Sequence, residues 1–262
     1  MTESRRSIIL AAAIAGGVSL AVTFATFSAL RGTLVRDYLA DHPEDMQRIV
    51  KDFFVKNPGA LKEIIEAAIG GGPPEQVDKT AAIQSNAQQL FSSPHQVTLG
   101  NPEGDVTVVE FFDYNCGYCR RAVSDMLALL KDDPKLRIVL KEFPILAPGS
   151  GEAARVAVAV RMQDPKKYLD FHQKLFEAPG QANKEKALAA AKLAGLDMEQ
   201  IEKDMASDEV TQTLAETQKL AQALGIDGTP CYVVGDAMVL GAVGADALKE
   251  KIKSARDKMA SK

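Results

Sequence analysis

The chain has 262 residues, of which 46% are hydrophobic and 25% charged, and its formal net charge at pH 7 is −4. This composition is typical of a folded protein with a sizeable core, and the sequence has no long basic run that would indicate nucleic-acid binding. Its three cysteines are too few for a scaffold held together by disulfides.

The N-terminal segment has the pattern of a membrane or export signal. Two arginines precede residues 8–30, which carry no charge, and Arg31 ends the stretch. A bilayer-spanning helix needs about 20 apolar residues and a secretory h-region only about 7–15, so the length favours an uncleaved signal anchor over residues 7–30. A cleaved signal peptide is the alternative. Both interpretations place residues 32–262 outside the cytoplasm, where disulfides persist.

Residues 33–69 contain an internal helical repeat. Pro43 and Pro58 each suit the first position of a helix, where the missing N–H costs no hydrogen bond. Each proline is followed by apolar residues at the i, i+3, i+4, i+7 spacing of one wide stripe. Because helices this short are marginal alone, the stripes need a partner. We expect a self-association segment, with packing against the main domain as the alternative.

A break in the chain follows this repeat. Residues 70–74 consist of glycine and proline, which indicates a linker or hinge. A polar, glutamine-rich stretch comes next, so residues 70–92 are predicted to form a linker and a connecting helix. The main domain is expected to cover residues 93–260.

Two cysteines then lie where a strand passes into a helix. Residues 106–112 are β-branched and aromatic, which predicts a buried strand, and apolar residues at helical spacing follow the cysteines. The unpaired N–H groups and positive dipole end of a helix N-terminus stabilise a thiolate. Cys116 is therefore the candidate nucleophile. Cys119, nearly one turn into the helix, is placed to resolve a mixed disulfide on Cys116.

A Cys-x-x-Cys pair alone also fits a metal site. Zinc would require two further ligands at suitable spacing, and the remaining candidates form no second pair: Cys231, His42, His95 and His172. We predict that His172, which lies among apolar positions, is a packed or surface histidine. We expect no metal and no other cofactor, with Cu(I) bound by the two motif thiols as the alternative, since soft thiolates suit that ion.

The rest of the main domain alternates strand and helix signals. A strand at 136–140 completes a βαβ unit with a parallel crossover. Helical periodicity then fills an insertion at about 150–224. A turn joins strands at 231–234 and 238–240 into a hairpin, and a final helix is predicted over 245–259.

This order, with the cysteine pair at the first helix and Thr229-Pro230 opening a later strand, resembles a thioredoxin fold. The run Phe-Phe-Asp-Tyr-Asn-Cys-Gly-Tyr-Cys at 111–119, the Glu-Phe-Pro at 142–144 and the helical insertion resemble the DsbA-like subfamily over about residues 93–260. The predicted fold class is α/β: a thioredoxin fold with a helical insertion, preceded by a membrane-anchor helix and a small all-helical N-terminal segment. The N-terminal repeat is similar to the oligomerisation segment of the suppressor-of-copper-sensitivity C proteins, a trimeric branch.

The resemblance implies roles for residues around the cysteines. Pro230 matches a cis-proline beside the disulfide, and it would place the backbone of Thr229 where an extended substrate can pair with it. Gly117 and Tyr118 would contact the substrate, but they include no histidine or proline, so a strongly oxidising site is not implied. Cys231 is predicted to be a small buried hydrophobe facing away from its strand neighbour, with a redox thiol or a Cu(I) ligand as the alternatives.

A buried acid beneath the cysteines is also implied. Glu110 matches that position, where burial would raise its pKa and suit it to shuttle the proton of Cys119. A solvent-facing strand glutamate is the alternative. Lys141 and Glu142 are candidates for a charge pair nearby.

Together these features predict a periplasmic thiol–disulfide oxidoreductase that forms or isomerises disulfides in exported proteins, with its own cysteines as the only redox groups. The expected partners are exported proteins with cysteines, a membrane redox partner, and the inner membrane, which residues 8–30 would span. The chain is also expected to associate with further copies of itself, and the branch that it resembles forms trimers. A Cu(I)-binding or copper-stress protein and a chaperone-like module are the alternatives. The direction of electron flow stays open, and the repeat favours an isomerase modestly.

Overall fold

A computed structural model of the chain describes Tyr38 and residues 42–57 and 79–261. The chain divides into two compact units, residues 1–75 and 76–262, and the division falls within the predicted linker. The domain boundaries given above stay predictions.

In the first unit, helix α1 (Pro43–Lys56) begins at the predicted proline. Tyr38 stacks on His42 just before the helix, with ring centroids 4.3 Å apart. Two apolar side chains of α1, Val50 and Phe53, are 45% and 47% exposed. The second helix of the repeat and the predicted anchor lie outside the described residues. Within the described ranges, no helix combines the length and apolar composition needed to cross a membrane.

The second unit is built on one mixed sheet of five strands with the order β1-β3-β2-β4-β5. The two central strands β2 and β3 are parallel, and the other neighbouring strands are antiparallel. The predicted βαβ unit and C-terminal hairpin are therefore confirmed. The strands are β1 (Val97–Gly100), β2 (Val106–Phe112), β3 (Leu136–Glu142), β4 (Cys231–Val234) and β5 (Ala237–Leu240).

Helices cover both faces of this sheet. Helix α4 makes the crossover from β2 to β3, and helices α5 to α9 form the helical insertion. Local sequence sets several helix ends: the Ser207 hydroxyl caps α9, and Gly225 ends that helix in the left-handed conformation with φ 63°. The helices are α2 (Lys79–Ser85), α3 (Ala87–Phe91), α4 (Gly117–Asp132), α5 (Pro148–Gln163), α6 (Tyr168–Glu177), α7 (Lys184–Leu193), α8 (Met198–Asp204), α9 (Asp208–Leu224) and α10 (Ala245–Ala260).

Strand β2 contributes to two separate hydrophobic cores because its side chains alternate between the faces of the sheet. Val108 and Phe112 belong to the larger core, which α4, α10 and most of the insertion cover. Val109 and Phe111 belong to a smaller core with residues of α2, α3 and α9. The central strand is thus held on both sides, and the loop that follows it begins from a rigid base.

The expected charge pair of Lys141 and Glu142 near Glu110 is wrong, because Lys141 lies on the other face of the sheet. Lys141 pairs in register with Phe111, whose side chain faces the smaller core. Its ammonium donates to the carbonyl of Gln89 on α3 at 2.8 Å and lies 4.0 Å from a carboxylate oxygen of Glu216. The fully buried lysine therefore fastens the connecting helix to the sheet.

We predict that this lysine makes stability depend on pH in the alkaline range. Burial lowers the pKa of Lys141 to about 8 from an ordinary 10.5. Between those values the unfolded chain binds more protons than the folded one, so stability rises with pH. Relative to Lys141→Met, the wild-type free energy of unfolding should increase by roughly 3 kcal/mol between about pH 8 and 10.5, measured by urea denaturation. The exposed Lys219→Met is the control, and an equal pH dependence in all three proteins would contradict the assignment.

Candidate functional site

The loop between β2 and α4 presents Cys116 as the N-cap residue of α4. Its backbone N–H donates to the carbonyl of Asp113 at 3.0 Å. Its Sγ accepts a hydrogen bond from the N–H of Cys119 at 3.4 Å. The sulfur therefore adjoins the free N–H groups and the positive end of the helix dipole.

The peptide bond between Thr229 and Pro230 is cis, as predicted. Strand β4 starts immediately after it and pairs antiparallel with β2, which brings the proline loop to the end of β2 where α4 begins. The Cys116 thiol donates to the Thr229 carbonyl at 3.2 Å. Two parts of the chain that are far apart in sequence thus meet at one sulfur atom.

Cys119 lies deeper than Cys116, although both are buried, with 1% and 5% of their surfaces exposed. Burial raises the pKa of the Cys119 thiol well above its ordinary value, and the nearby Glu110 and Cys116 raise it further. Cys119 is thus held as a thiol in the reduced protein, whereas Cys116 lies at the N-terminus of the helix.

Glu110 is a buried acid on β2, so the solvent-facing alternative is wrong. Its register partner on β4 is Tyr232, with which its carboxyl group makes a hydrogen bond. Burial raises the pKa of Glu110 to about 8, the tyrosine hydrogen bond opposes this shift, and Asp125 adds to it. A group with this pKa exchanges a proton near neutral pH, close enough to Cys119 to influence the pKa of that thiol.

Asp113 organises the active-site loop, and the sequence did not single it out. Its carboxylate accepts three backbone N–H groups: that of Asn115 at 2.7 Å, that of Ile145 at 2.8 Å and that of Leu146 at 2.9 Å. The side chain is 1% exposed. Its position directly after a strand and three residues before the first cysteine was the available signal. Asp113 thus joins the cysteine loop to the loop after β3, which exposes 37% of Ile145 and 52% of Leu146.

Asn115 joins the same loop to the helical insertion. Its amide nitrogen donates to the Ser150 hydroxyl at 2.9 Å and to the Ala182 carbonyl at 3.1 Å. Its amide oxygen accepts the N–H of Ala182 at 2.7 Å. The insertion therefore supports the site from one side, through a residue directly beside Cys116.

A buried polar network lies behind the loop. The Tyr114 hydroxyl contacts Nδ1 of His172 at 3.0 Å and the Tyr168 hydroxyl at 3.3 Å, and Tyr168 donates to Glu142. Burial lowers the pKa of His172 to about 3, so the imidazole is neutral, and its ring packs edge-on against Phe112. The prediction of a packed histidine is confirmed. Every member of the network has a partner, as buried polar groups require.

The residues between the cysteines form the exposed edge of the site. Tyr118 is 59% exposed. A Cβ placed on Gly117 would meet no atom within 4 Å, so the glycine faces open space. The guanidinium carbon of Arg121 lies 4.4 Å from the centroid of the Tyr118 ring. Both predicted contact residues are therefore accessible to a substrate.

Cys231 is separated from this site by the sheet. It belongs to the smaller core, whereas its neighbour Tyr232 faces the larger one, so the predicted opposite orientation is confirmed. Burial raises the pKa of Cys231 to about 12. In the described part of the chain, no group of three or more His, Cys, Asp or Glu side chains is arranged to hold a metal ion.

Comparison with known proteins agrees with this geometry. The family model of the DSBA-like thioredoxin domain matches residues 107–253. Disulfide bond formation protein D of Bacillus subtilis is 29% identical over 172 residues, which cover 60% of this chain and 76% of that protein. A thioredoxin-like oxidoreductase from Silicibacter pomeroyi, known from a crystal structure, has 49% sequence identity to this chain. Its structure matches with a TM-score of 0.63 over 66% of this chain and 98% of that one. Proteus mirabilis ScsC in a transitional conformation is 27% identical, with a TM-score of 0.63, over 84% of this chain and 97% of that one.

The sheet, the Cys-x-x-Cys helix and the cis-proline loop define a thioredoxin-fold protein of the thiol–disulfide oxidoreductase class. Since the family model matches more than half of its residues, the chain belongs to the DsbA-like thioredoxin domain family. It is accordingly an oxidoreductase.

We predict that Glu110 makes the reduced protein less stable as the pH rises. Its folded pKa of about 8 lies above the ordinary 4.5, so the folded chain binds more protons between these values and the associated stability is lost as pH rises through about 8. From about pH 4.5 to 8, the wild-type free energy of unfolding should fall by roughly 3–5 kcal/mol relative to Glu110→Gln, measured by denaturation of the reduced protein. The exposed Glu103→Gln should show the wild-type profile. Parallel profiles for wild type and Glu110→Gln would refute the assignment.

Proposed function

We propose that the chain is an exported enzyme that forms or isomerises disulfides in exported proteins through Cys116 and Cys119. The observation that carries this proposal is the meeting of the Cys116 sulfur with the Thr229 carbonyl, 3.2 Å apart, beside the cis-proline and at a helix N-terminus. A metal carrier has no need of the proline loop. The Cu(I) alternative therefore stays a prediction with less support.

The reaction exchanges two thiols for one disulfide. In the oxidising direction, a substrate thiolate attacks Sγ of Cys116 in the Cys116–Cys119 disulfide, and Cys119 leaves as a thiolate. A second substrate thiolate then attacks the substrate sulfur of the mixed disulfide and releases Cys116. The substrate loses two electrons and the enzyme gains them. Isomerisation starts instead from the reduced enzyme, when Cys116 attacks a substrate disulfide.

Burial gives the two cysteines different tasks. Cys116 lies at the open edge of the helix, where Gly117 and Tyr118 are exposed and an incoming sulfur can approach. Cys119 lies inside, where a thiolate is poorly solvated, so its departure requires a proton. We assign the supply and removal of that proton to Glu110, whose pKa of about 8 suits both directions.

The location and partners follow from the same function. Relatives include proteins named for disulfide bond formation, such as that of Bacillus subtilis. Together with the predicted signal at residues 7–30, this supports an extracytoplasmic, periplasmic site of action. A membrane redox partner would restore the working redox state of Cys116 and Cys119. The substrates are exported proteins with cysteines, whose extended backbone would lie along Thr229.

We predict that the activity depends on Cys116. Cys116→Ser should abolish both the reduction of insulin by dithiothreitol and the reactivation of scrambled ribonuclease, leaving the uncatalysed rate, because no mixed disulfide can form. Cys231→Ser, a change to the buried thiol on the other face of the sheet, should retain most of the wild-type rate. If Cys116→Ser retains the wild-type rate in both assays, the proposed function is wrong.

Self-association through the N-terminal segment is a further part of the proposal. Val50 and Phe53 are about half exposed and lie three residues apart, on one face of α1. The likeness to Proteus mirabilis ScsC spans 84% of this chain, a larger share than residues 76–262 make up. Residues ahead of the thioredoxin unit are therefore part of that likeness.

We predict that placing charges on this face of α1 dissociates the assembly. The double variant Val50→Asp/Phe53→Asp of the full chain should run as a monomer in light scattering after detergent extraction, because a buried interface cannot solvate the new carboxylates. Leu193→Asp introduces a charge at a 72% exposed leucine of α7 and should keep the wild-type mass. Equal masses for the wild type and the double variant would rule out assembly through α1.

A further inference from the structure

We propose that Arg120 and Arg121 select substrates that carry acidic residues beside their reactive cysteine. The inference rests on the proposed function and deepens it, since it names the chemistry of the preferred substrate. It concerns the helix side of the site, opposite the loop of Thr229 and Pro230.

Arg120 lies on the same face of α4 as Cys116. Its backbone N–H donates to the Cys116 carbonyl at 3.0 Å, the i to i+4 bond of the first turn. Side chains four residues apart are neighbours on a helix surface, and each Cα–Cβ bond tilts toward the N-terminus. The exposed Arg120 side chain therefore starts next to Cys116 and leans toward the end of the helix where substrate arrives.

Arg121 places a second positive charge beside Tyr118, one of the two residues between the cysteines. Its guanidinium lies over the ring of Tyr118, 4.4 Å from the centroid. A cation–π contact of this kind orients the charge without neutralising it. Since Tyr118 is 59% exposed, a substrate that reaches Cys116 meets an aromatic ring with a positive charge on its face.

Neither arginine has an ion-pair partner within 4.0 Å among the described residues. Arg256, in contrast, contacts Asp105 and Asp133. Cations near a helix N-terminus are opposed by the helix dipole, and the first turn of α4 contains no acidic residue that compensates. Both charges are therefore available to a carboxylate of a substrate.

Acidic residues lie around the positive region formed by Arg120 and Arg121. Asp125, one turn further along α4 from Arg121, makes no ion pair with it within 4.0 Å among the described residues. The opposite wall carries an exposed acid, Asp227, two residues before Thr229. A carboxylate in the substrate is therefore attracted by the two arginines on the helix side and repelled by Asp227.

Charge complementarity of this kind changes the rate of encounter and the choice of partner more than it changes tight binding. Exposed pairs are individually weak. Acting together, two arginines should change the rate about threefold to tenfold at low ionic strength. Screening should remove most of this effect at high salt.

The test uses three peptides of equal length with two cysteines each, whose flanking residues are glutamate, lysine or serine. The full-length protein is first oxidised with excess oxidised glutathione and freed of it. Mixing it with a peptide dithiol transfers two electrons and two protons from the peptide to the Cys116–Cys119 disulfide in a single turnover. Acid quenching, alkylation and mass spectrometry then give the second-order rate constant.

The readout is the ratio of the rate constants for the glutamate and lysine peptides, compared between variants, because this comparison cancels the different thiol pKa values of the peptides. Arg120→Glu/Arg121→Glu should lower the ratio about tenfold, and Arg120→Lys/Arg121→Lys should preserve it. Lys131→Glu/Lys135→Glu makes the same charge change at the other end of α4, in its last turn and just after it, and should also preserve the ratio.

Two results would overturn the inference: an unchanged ratio in Arg120→Glu/Arg121→Glu, or an equal fall in the Lys131→Glu/Lys135→Glu control. In either case, oxidation of the serine peptide by the wild type would leave the proposed function intact. Failure of the wild type to oxidise any of the three peptides would instead overturn the proposed function, and the inference with it.

Discussion

The site depends on the antiparallel pairing of β2 with β4. This pairing fixes the end of β2, which leads into Cys116, against the start of β4, which follows Pro230. The contact between the Cys116 thiol and the Thr229 carbonyl is its direct consequence. Because β2 is buried on both faces, neither half of the site can shift without disturbing one of the two cores.

The second constraint is the gradient of burial across the pair of cysteines. Cys116 caps a helix at the edge of the fold, whereas Cys119 and Glu110 lie inside it, where burial raises the pKa of both and Glu110 raises that of Cys119 further. The buried groups Cys119 and Glu110 therefore favour their protonated forms, and the reactive sulfur of Cys116 lies at the edge. Asp113 and Asn115 keep the loop between these environments in place through backbone contacts with the loop after β3 and with the insertion.

Much of this arrangement could be predicted from sequence, since it follows from local pattern. The run at 106–112 predicted a buried strand, and a strand of that type before helical spacing placed Cys116 at a helix start. Resemblance to a family, rather than periodicity, supplied the cis bond before Pro230 and the burial of Glu110. The predicted pairing of Lys141 was wrong, since a shift of one residue along a strand reverses the face and sequence alone did not fix the alignment.

The contacts that hold the loop could not be predicted in the same way. Asp113 binds the backbone N–H groups of Ile145 and Leu146, and Asn115 binds the backbone of Ala182; such partners depend on tertiary packing and leave no periodic signal. Tyr114 and His172 likewise meet only because α6 packs against the active-site loop. These residues show that the helical insertion is part of the support of the redox site.

The most direct test is a redox titration of the full chain in glutathione buffers, with the state of each thiol identified by alkylation and mass spectrometry. We predict one reversible disulfide, between Cys116 and Cys119, while Cys231 stays a free thiol at every potential. Its midpoint would also decide the direction of electron flow. A disulfide that includes Cys231, or a Cys116–Cys119 pair that never oxidises, would contradict the assignment of Cys116 and Cys119 as the redox pair.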